Sequence, residues 1–170
     1  MLTIKEASEE GESLDAYRQM LREHREATGV DFNIKGYEQE LFDPLARFAK
    51  PMGVIAVAYW NNVPCATGAL QDHGNGRCEL KRIYVRPKFR QRGIARKVSE
   101  YLISRAAEIG YRLVFLDTLR RLTAAIRLYQ SLGFVEVDSR VDSPTREVVV
   151  MERSLNTGSP KRDSIMEQRC

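Results

Sequence analysis

Cysteine and histidine are scarce in this chain of 170 residues. Its three cysteines, Cys65, Cys78 and Cys170, show no C-x-x-C spacing, and its two histidines, His24 and His73, lie far from them and from each other. That excludes the usual sequence patterns of a zinc site and of a disulfide scaffold, so no metal is expected. Sparse, odd-numbered thiols fit a reducing compartment. Long apolar runs are missing as well. None approaches the roughly 20 residues of a membrane span, and the opening MLTIKEASEE lacks the apolar stretch of a signal peptide. These absences predict a cytoplasmic protein without a membrane partner. The last stretch, NTGSPKRDSIMEQRC (156–170), is polar and without period. It is expected to be disordered, which leaves residues 1–155 as a single domain.

Acid is absent from one place. LKRIYVRPKFRQRGIARKVS, Leu80 to Ser99, holds eight basic side chains and no acidic one. The whole chain carries a formal +4, so the remainder sums to −4 and the positive charge is local. A basic patch of that extent suits a bounded anionic ligand. Nucleic acid is not expected, because the stretch offers only Tyr84 and Phe89 for stacking.

The pattern of elements surrounds this stretch. Leu2 to Ala7 reads as a strand, followed by a helix from Ser13 with Leu14, Tyr17 and Leu21 on one face and Gly29 past its end. The segment from Asp31 to Pro51 has no single period, and Pro44 and Pro51 interrupt any long helix. GVIAVAYW and VPCATGAL flank Asn61 and Asn62, a tight turn, and HGNG leads into CELKRIYV, giving an antiparallel meander of strands. After Pro87 the period becomes helical through Ile94, Val98, Leu102 and Ala106, with Gly110 as the stop. RLVFLD reads as a buried strand, parallel to CELKRIYV across the helix between them. A helix over Thr123 to Leu132 and the strands FVEVDS and EVVVMERSL complete the order.

RQRGIA therefore lies between a strand and the start of a helix, where unpaired backbone N–H groups and the helix dipole attract phosphate. Gly93 admits the anion to the backbone, and Ala95 keeps the next site small. R-x-x-G-x-A, filled by Arg90, Gly93 and Ala95, follows the strand ELKRIYVRP and precedes A-x-x-L-Y-x-x-x-G-F, filled by Ala125, Leu128, Tyr129, Gly133 and Phe134. This pair of motifs resembles the acetyl-CoA-binding signature of the GNAT superfamily of N-acetyltransferases. The resemblance implies an α/β (α+β) fold, a mixed and mostly antiparallel sheet of about six to seven strands with a central, splayed parallel pair and helices on both faces. It also implies that Arg90 and the residues Gln91, Arg92, Gly93, Ile94, Ala95 and Arg96 hold the pyrophosphate of acetyl-CoA, while the backbone at Ile83 and Val85 pairs with pantetheine. Arg120 and Arg121 are further candidates for the 3′-phosphate. One position departs from the pattern: many members have asparagine where this chain has Leu122.

By the same resemblance the chain is an acyltransferase acting on a primary amine. Glu79, fourteen residues before Gly93, matches the base glutamate of protein-acetylating members, and Tyr129 matches the proton donor to the departing thiolate. A structural role for each is also open: Glu79 as an exposed strand carboxylate paired with Lys81, Tyr129 as an aromatic filling a helix–sheet interface. Cys78 and Glu79 are strand neighbours and so face opposite ways, which argues for direct transfer and against an acetyl-cysteine. Phe32, Tyr37 and Tyr84 are the expected lining of an acceptor pocket for a small-molecule amine. A protein or peptide acceptor is the alternative, as is a module that binds acyl-CoA without catalysis. Homodimers are common in the family, so a homodimer is open.

Overall fold

A computed structural model describes residues 1–29, 34–137 and 147–155; the tail and Phe32 lie outside these. The order is β1 (Leu2–Glu6), α1 (Glu12–Thr28), α2 (Ile34–Phe42), α3 (Pro44–Arg47), β2 (Val54–Trp60), β3 (Val63–Asp72), β4 (Arg77–Val85), α4 (Ile94–Ile109), β5 (Leu113–Leu119), α5 (Thr123–Ser131), β6 (Val135–Val137) and β7 (Val148–Ser154). The strands form one seven-stranded sheet in the order β1-β2-β3-β4-β5-β7-β6. Among the described residues only β4 and β5 run parallel; the other pairings are antiparallel.

Both faces of the sheet are covered, which is why VIAVAY in β2 is buried throughout. Alternation sends Val54, Ala56 and Ala58 to one face, where Val98, Leu102 and Ala106 of α4 meet them. Ile55 and Val57 go to the other, under Leu14, Tyr17, Met20 and Leu21 of α1. Fully excluded side chains such as Leu14 and Leu102 each contribute about 1.5–3 kcal/mol.

The aperiodic segment before β2 differs from expectation in containing two helices. Pro44 ends neither: it starts α3, where its missing N–H costs nothing, and Asp43 caps that turn by accepting from Ala46 N–H at 3.0 Å.

Two irregularities shape the centre. Opposite Gly68, β4 spends two residues, Arg82 and Ile83, for one on β3, and Arg82 sits at φ 58°. Gly68 must lack a side chain here, since a Cβ would lie 2.5 Å from Ile83 Cδ1 and 2.8 Å from Leu102 Cδ1. Beyond this, β4 and β5 pair only at Arg77–Leu113, Cys78–Val114 and Glu79–Phe115. From Leu80 onward β4 has no partner on that side, and the parallel pair is splayed.

Candidate active site

The open edge of β4 has a defined polarity. Arg86 N–H donates to Cys65 C=O on β3 at 2.9 Å, so alternation turns the peptide groups of Val85 and Ile83 the other way, toward the gap. The Val85 carbonyl accepts from Arg90 Nε at 3.1 Å, leaving its N–H for a ligand.

Past the strand, a short 3₁₀ turn (Pro87–Phe89) leads to Gln91 at φ 61° and Gly93 at φ 70°. The first helical bond of α4 runs from Lys97 N–H to Gly93 C=O at 3.1 Å, so the amides of Ile94, Ala95 and Arg96 lie ahead of the ladder. No side chain caps this end, and a Cβ on Gly93 would meet nothing within 4 Å. The turn is an open seat of amides at the positive end of a 16-residue helix.

The basic stretch is less free than its sequence implies. Lys81 pairs with Glu79 at 2.7 Å, Arg82 with Glu40 at 2.9 Å, Arg86 with Glu23 at 2.8 Å and Arg96 with Glu100 at 3.5 Å. Arg96 also donates to Ser131 Oγ at 2.6 Å, and Arg92 lies over the Trp60 ring at 5.3 Å. Arg120 pairs with Glu136 at 2.6 Å, and Arg121 donates to Thr28 C=O at 2.8 Å, tying the loop after β5 to the end of α1. Leu122 follows in that loop as an apolar wall residue.

A cavity of about 460 Å³ occupies the splay. Leu80 to Ile83 of β4 and Asp117 to Leu119 of β5 form its sides, Leu122, Ala125 and Tyr129 close one end, and His24, Tyr37 and Arg47 from α1 to α3 form the roof. Tyr129 is 8% exposed and packs edge-on against Phe134 at 5.8 Å. Among the described residues its hydroxyl has no hydrogen-bond partner. Burial, and secondarily Asp117, push its phenol well above the usual value, so it stays protonated at working pH.

Glu79 is 6% exposed, so the pairing with Lys81 expected of it is present while the exposure is not. Its Oε1 accepts from Lys81 Nζ at 2.7 Å and its Oε2 from His73 Nε2 at 2.8 Å. Lys81 lines the cavity; His73 is 39% exposed at the far end of the chain of bonds. Cys78 points into the opposite core, where burial and then Asp72 push its thiol up to about 12, too high for a resting nucleophile.

Of the expected acceptor lining, Tyr37 reaches the cavity, with Arg25 4.5 Å from its ring centroid. Tyr84 does not: it is buried against α1 and stacks at 5.3 Å on His24, which takes the wall position instead. Burial, then Arg82, push the His24 imidazole down to about 4, so it is neutral near pH 7.

Sequence reasoning missed Glu40, Arg47, Asp117 and His73. Glu40 is wholly buried, accepting from Arg82 Nε and Nη2 at 3.0 and 2.9 Å and from the Tyr17 hydroxyl at 2.6 Å. Burial alone would raise its carboxyl; Arg82, with Tyr17 and Arg47, outweighs that and holds it below the usual range. Its one sequence signal is the three-residue spacing from Tyr37 on the same helical face.

Among the described residues no helix is long and apolar enough to cross a membrane. The model of the Acetyltransferase (GNAT) family matches residues 17–134. An uncharacterized N-acetyltransferase of Schizosaccharomyces pombe is 30% identical over 148 residues, 85% of this chain and 90% of that protein. A spermine/spermidine N(1)-acetyltransferase of Bacillus subtilis is 30% identical over 83 residues, 48% of this chain and 54% of its own length. The crystal structure of the PaiA N-acetyltransferase of Thermoplasma acidophilum in complex with coenzyme A superposes with a TM-score of 0.69 at 15% identity, covering 90% of this chain and 99% of that one. With the family model spanning most of the domain and a full-length relative beside it, the chain is an acyltransferase and belongs to the GNAT family of acetyltransferases.

Proposed function

We propose that the protein transfers the acetyl group of acetyl-CoA directly to the primary amine of a small molecule. The observation that carries this reading is the cavity that runs from the open edge of β4 to Tyr129 under a roof of α1, α2 and α3. Pantetheine would pair with the free peptide group of Ile83 and run along β4 to Val85, whose carbonyl Arg90 already holds, and the pyrophosphate would sit on the amides from Gln91 to Arg96, with Arg90 and Arg92 beside it. A coenzyme A complex of a protein with the same fold supports this placement. The roof favours a small acceptor over a protein: Glu40 of α2 is clamped to Arg82 of the bulge, which holds α2 over the sheet.

An alkyl ammonium, with a pKa of about 10.4, must lose its proton before it attacks the thioester. Glu79 is the proposed acceptor of that proton. Lys81, an ammonium with no site to accept a proton, stands between it and the cavity, so the proton arrives through intervening water, and His73 connects the carboxylate to solvent. The Val85 N–H would bond the oxygen on which charge develops. Tyr129 is the proposed proton donor to the departing thiolate.

The test is a panel of amines, amino acids and peptides scored by release of free CoA thiol, with turnover of a small amine expected and peptide-only turnover overturning the assignment. In the same assay Glu79→Gln should lower the rate most at low pH, and part of the loss should return as pH rises and more amine is neutral. A pH-independent ratio to the unsubstituted protein would assign Glu79 to structure and leave water as the acceptor.

A further inference from the structure

The cavity wall is electrically lopsided in a way that bears on the acceptor. Arg47 reaches it from α3 and Lys81 from β4. Each is anchored by only part of its donors. Arg47 donates Nε to Gln71 Oε1 and Nη1 to Gly36 C=O, each at 3.3 Å, and forms an ion pair with Glu40 at 3.3 Å; among the described residues its Nη2 has no acceptor. Lys81 gives one N–H to Glu79 at 2.7 Å and has no other acceptor there.

The two cations share one patch. Gln71, which holds Arg47, faces Glu79 across the β3–β4 ladder, and Lys81 is two pairs further along and so on the same face, opposite Ala69. Gln71 and Lys81 are thus diagonal neighbours on one face, about 7–8 Å apart, and both Arg47 and Lys81 line the same cavity. The balancing carboxylates, Glu40 and Glu79, have side chains 0% and 8% exposed, with both oxygens of each already bonded within the protein, so neither is presented directly to a ligand. The neutral His24 adds no charge to the wall.

Among the described residues the opposite wall carries one carboxylate, Asp117 of β5, exposed and without a partner. It lies beyond the last β4–β5 pair, close enough to Tyr129 to act on the phenol. A negative pole near the splay, where transfer would occur, thus faces a pole of unused N–H donors on β4 and α3.

We infer that the acceptor is an amine that also carries an oxyanion, a carboxylate or a phosphate, held by Arg47 and Lys81 while Asp117 draws its ammonium toward the splay. A charge-assisted pair of donors is the strong mode for such a group. A polyamine fits poorly, because its second ammonium would meet Arg47 and Lys81, whatever the acceptor named for the B. subtilis relative. The inference rests on the acetyltransferase reading above.

The experiment measures kcat/KM for acetylation of matched compounds: amino acids of increasing length, their decarboxylated amines, the corresponding aminoalkyl phosphates, and spermidine. An oxyanion-bearing amine should exceed its plain counterpart by at least 30-fold, and the faster of the carboxylate and phosphate arms identifies the group. Arg47→Met and Lys81→Met should each cut that ratio at least tenfold, mostly through KM. Arg47→Lys, which keeps the charge, should recover part of it. Equal kcat/KM for matched pairs, preference for spermidine, or a ratio unmoved by both methionine variants would overturn the inference and leave the acetyltransferase standing. Failure to acetylate any amine, with acetyl-CoA still bound, would remove both.

Discussion

Acetyl-CoA at about 100 times its dissociation constant is expected to raise the melting temperature by roughly 5–10 °C and to do nothing for Gly93→Glu. The first figure follows from about 2.7 kcal/mol of linkage and roughly 2–4 °C per kcal/mol for a domain of this size. The second follows from the seat itself. The new side chain would project into the space where the amides of Ile94, Ala95 and Arg96 point, and its charge would repel the polyanion it replaces. Nothing in the protein obstructs a Cβ at this position within 4 Å, so the cost to the apoprotein is confined to a side chain at φ 70°, about 1 kcal/mol or somewhat more. Gly74 provides the control, with φ 71° and nothing within 4 Å, in the turn before β4. Gly74→Glu carries the same strain and charge and should keep the response to acetyl-CoA. Thermal melts of the three proteins decide it: equal shifts for Gly93→Glu and the unsubstituted chain would sink the assignment of the phosphate seat. Added salt should shrink the shift, since the ligand is polyanionic.

What the sequence revealed of this site is what local chemistry controls. The helix start after Gly93, the stop at Gly110 and the two-asparagine turn with φ 48° and 66° each follow from one or two residues whose backbone freedom is distinctive. The parallel pairing of β4 with β5 followed from a helix of crossover length between two strands. The bulge had no such mark. It places a positive φ on Arg82, a residue with no preference for it, and its nearest sequence trace is Gly68 on the neighbouring strand. The cavity wall was still less accessible to inspection, because its bonds join distant residues: Arg82 to Glu40 across 42 positions, and Arg86 to Glu23 across 63. The same distance explains the basic stretch. Its charge looks uncompensated along the chain, yet carboxylates of α1 and α2 neutralise two of its arginines in space, which leaves the amides at Gly93 as the main feature proposed to hold the anion. Tyr84 shows the converse error of locality, a strand aromatic near the site that the α1 helix covers and His24 replaces at the wall.

Removing the Tyr129 hydroxyl separates catalysis from mere retention of the cofactor. Tyr129→Phe keeps the ring that lies edge-on to Phe134, and the lost hydroxyl leaves no protein donor or acceptor orphaned among the described residues. Stability and acetyl-CoA affinity should therefore stay near those of the unsubstituted chain. The chemical step should not. If the phenol protonates the departing thiolate, single-turnover acetyl transfer should slow by roughly 10- to 1,000-fold. A thiol pKa near 8.5 keeps the assistance useful without making it indispensable, so a residual rate is expected. The raised phenol pKa adds a second signature with a definite sign. Burial and Asp117 disfavour the phenolate, so the donor form persists beyond the ordinary phenol value, and no alkaline loss of rate from Tyr129 should occur below about pH 10. The measurement is a pH series of single-turnover rates beside equilibrium binding of acetyl-CoA, using any acceptor that turns over in the amine panel. A rate unchanged in Tyr129→Phe would remove the hydroxyl from the mechanism and leave the ring as packing; a loss of acetyl-CoA binding equal to the loss of rate would place Tyr129 in holding the cofactor instead.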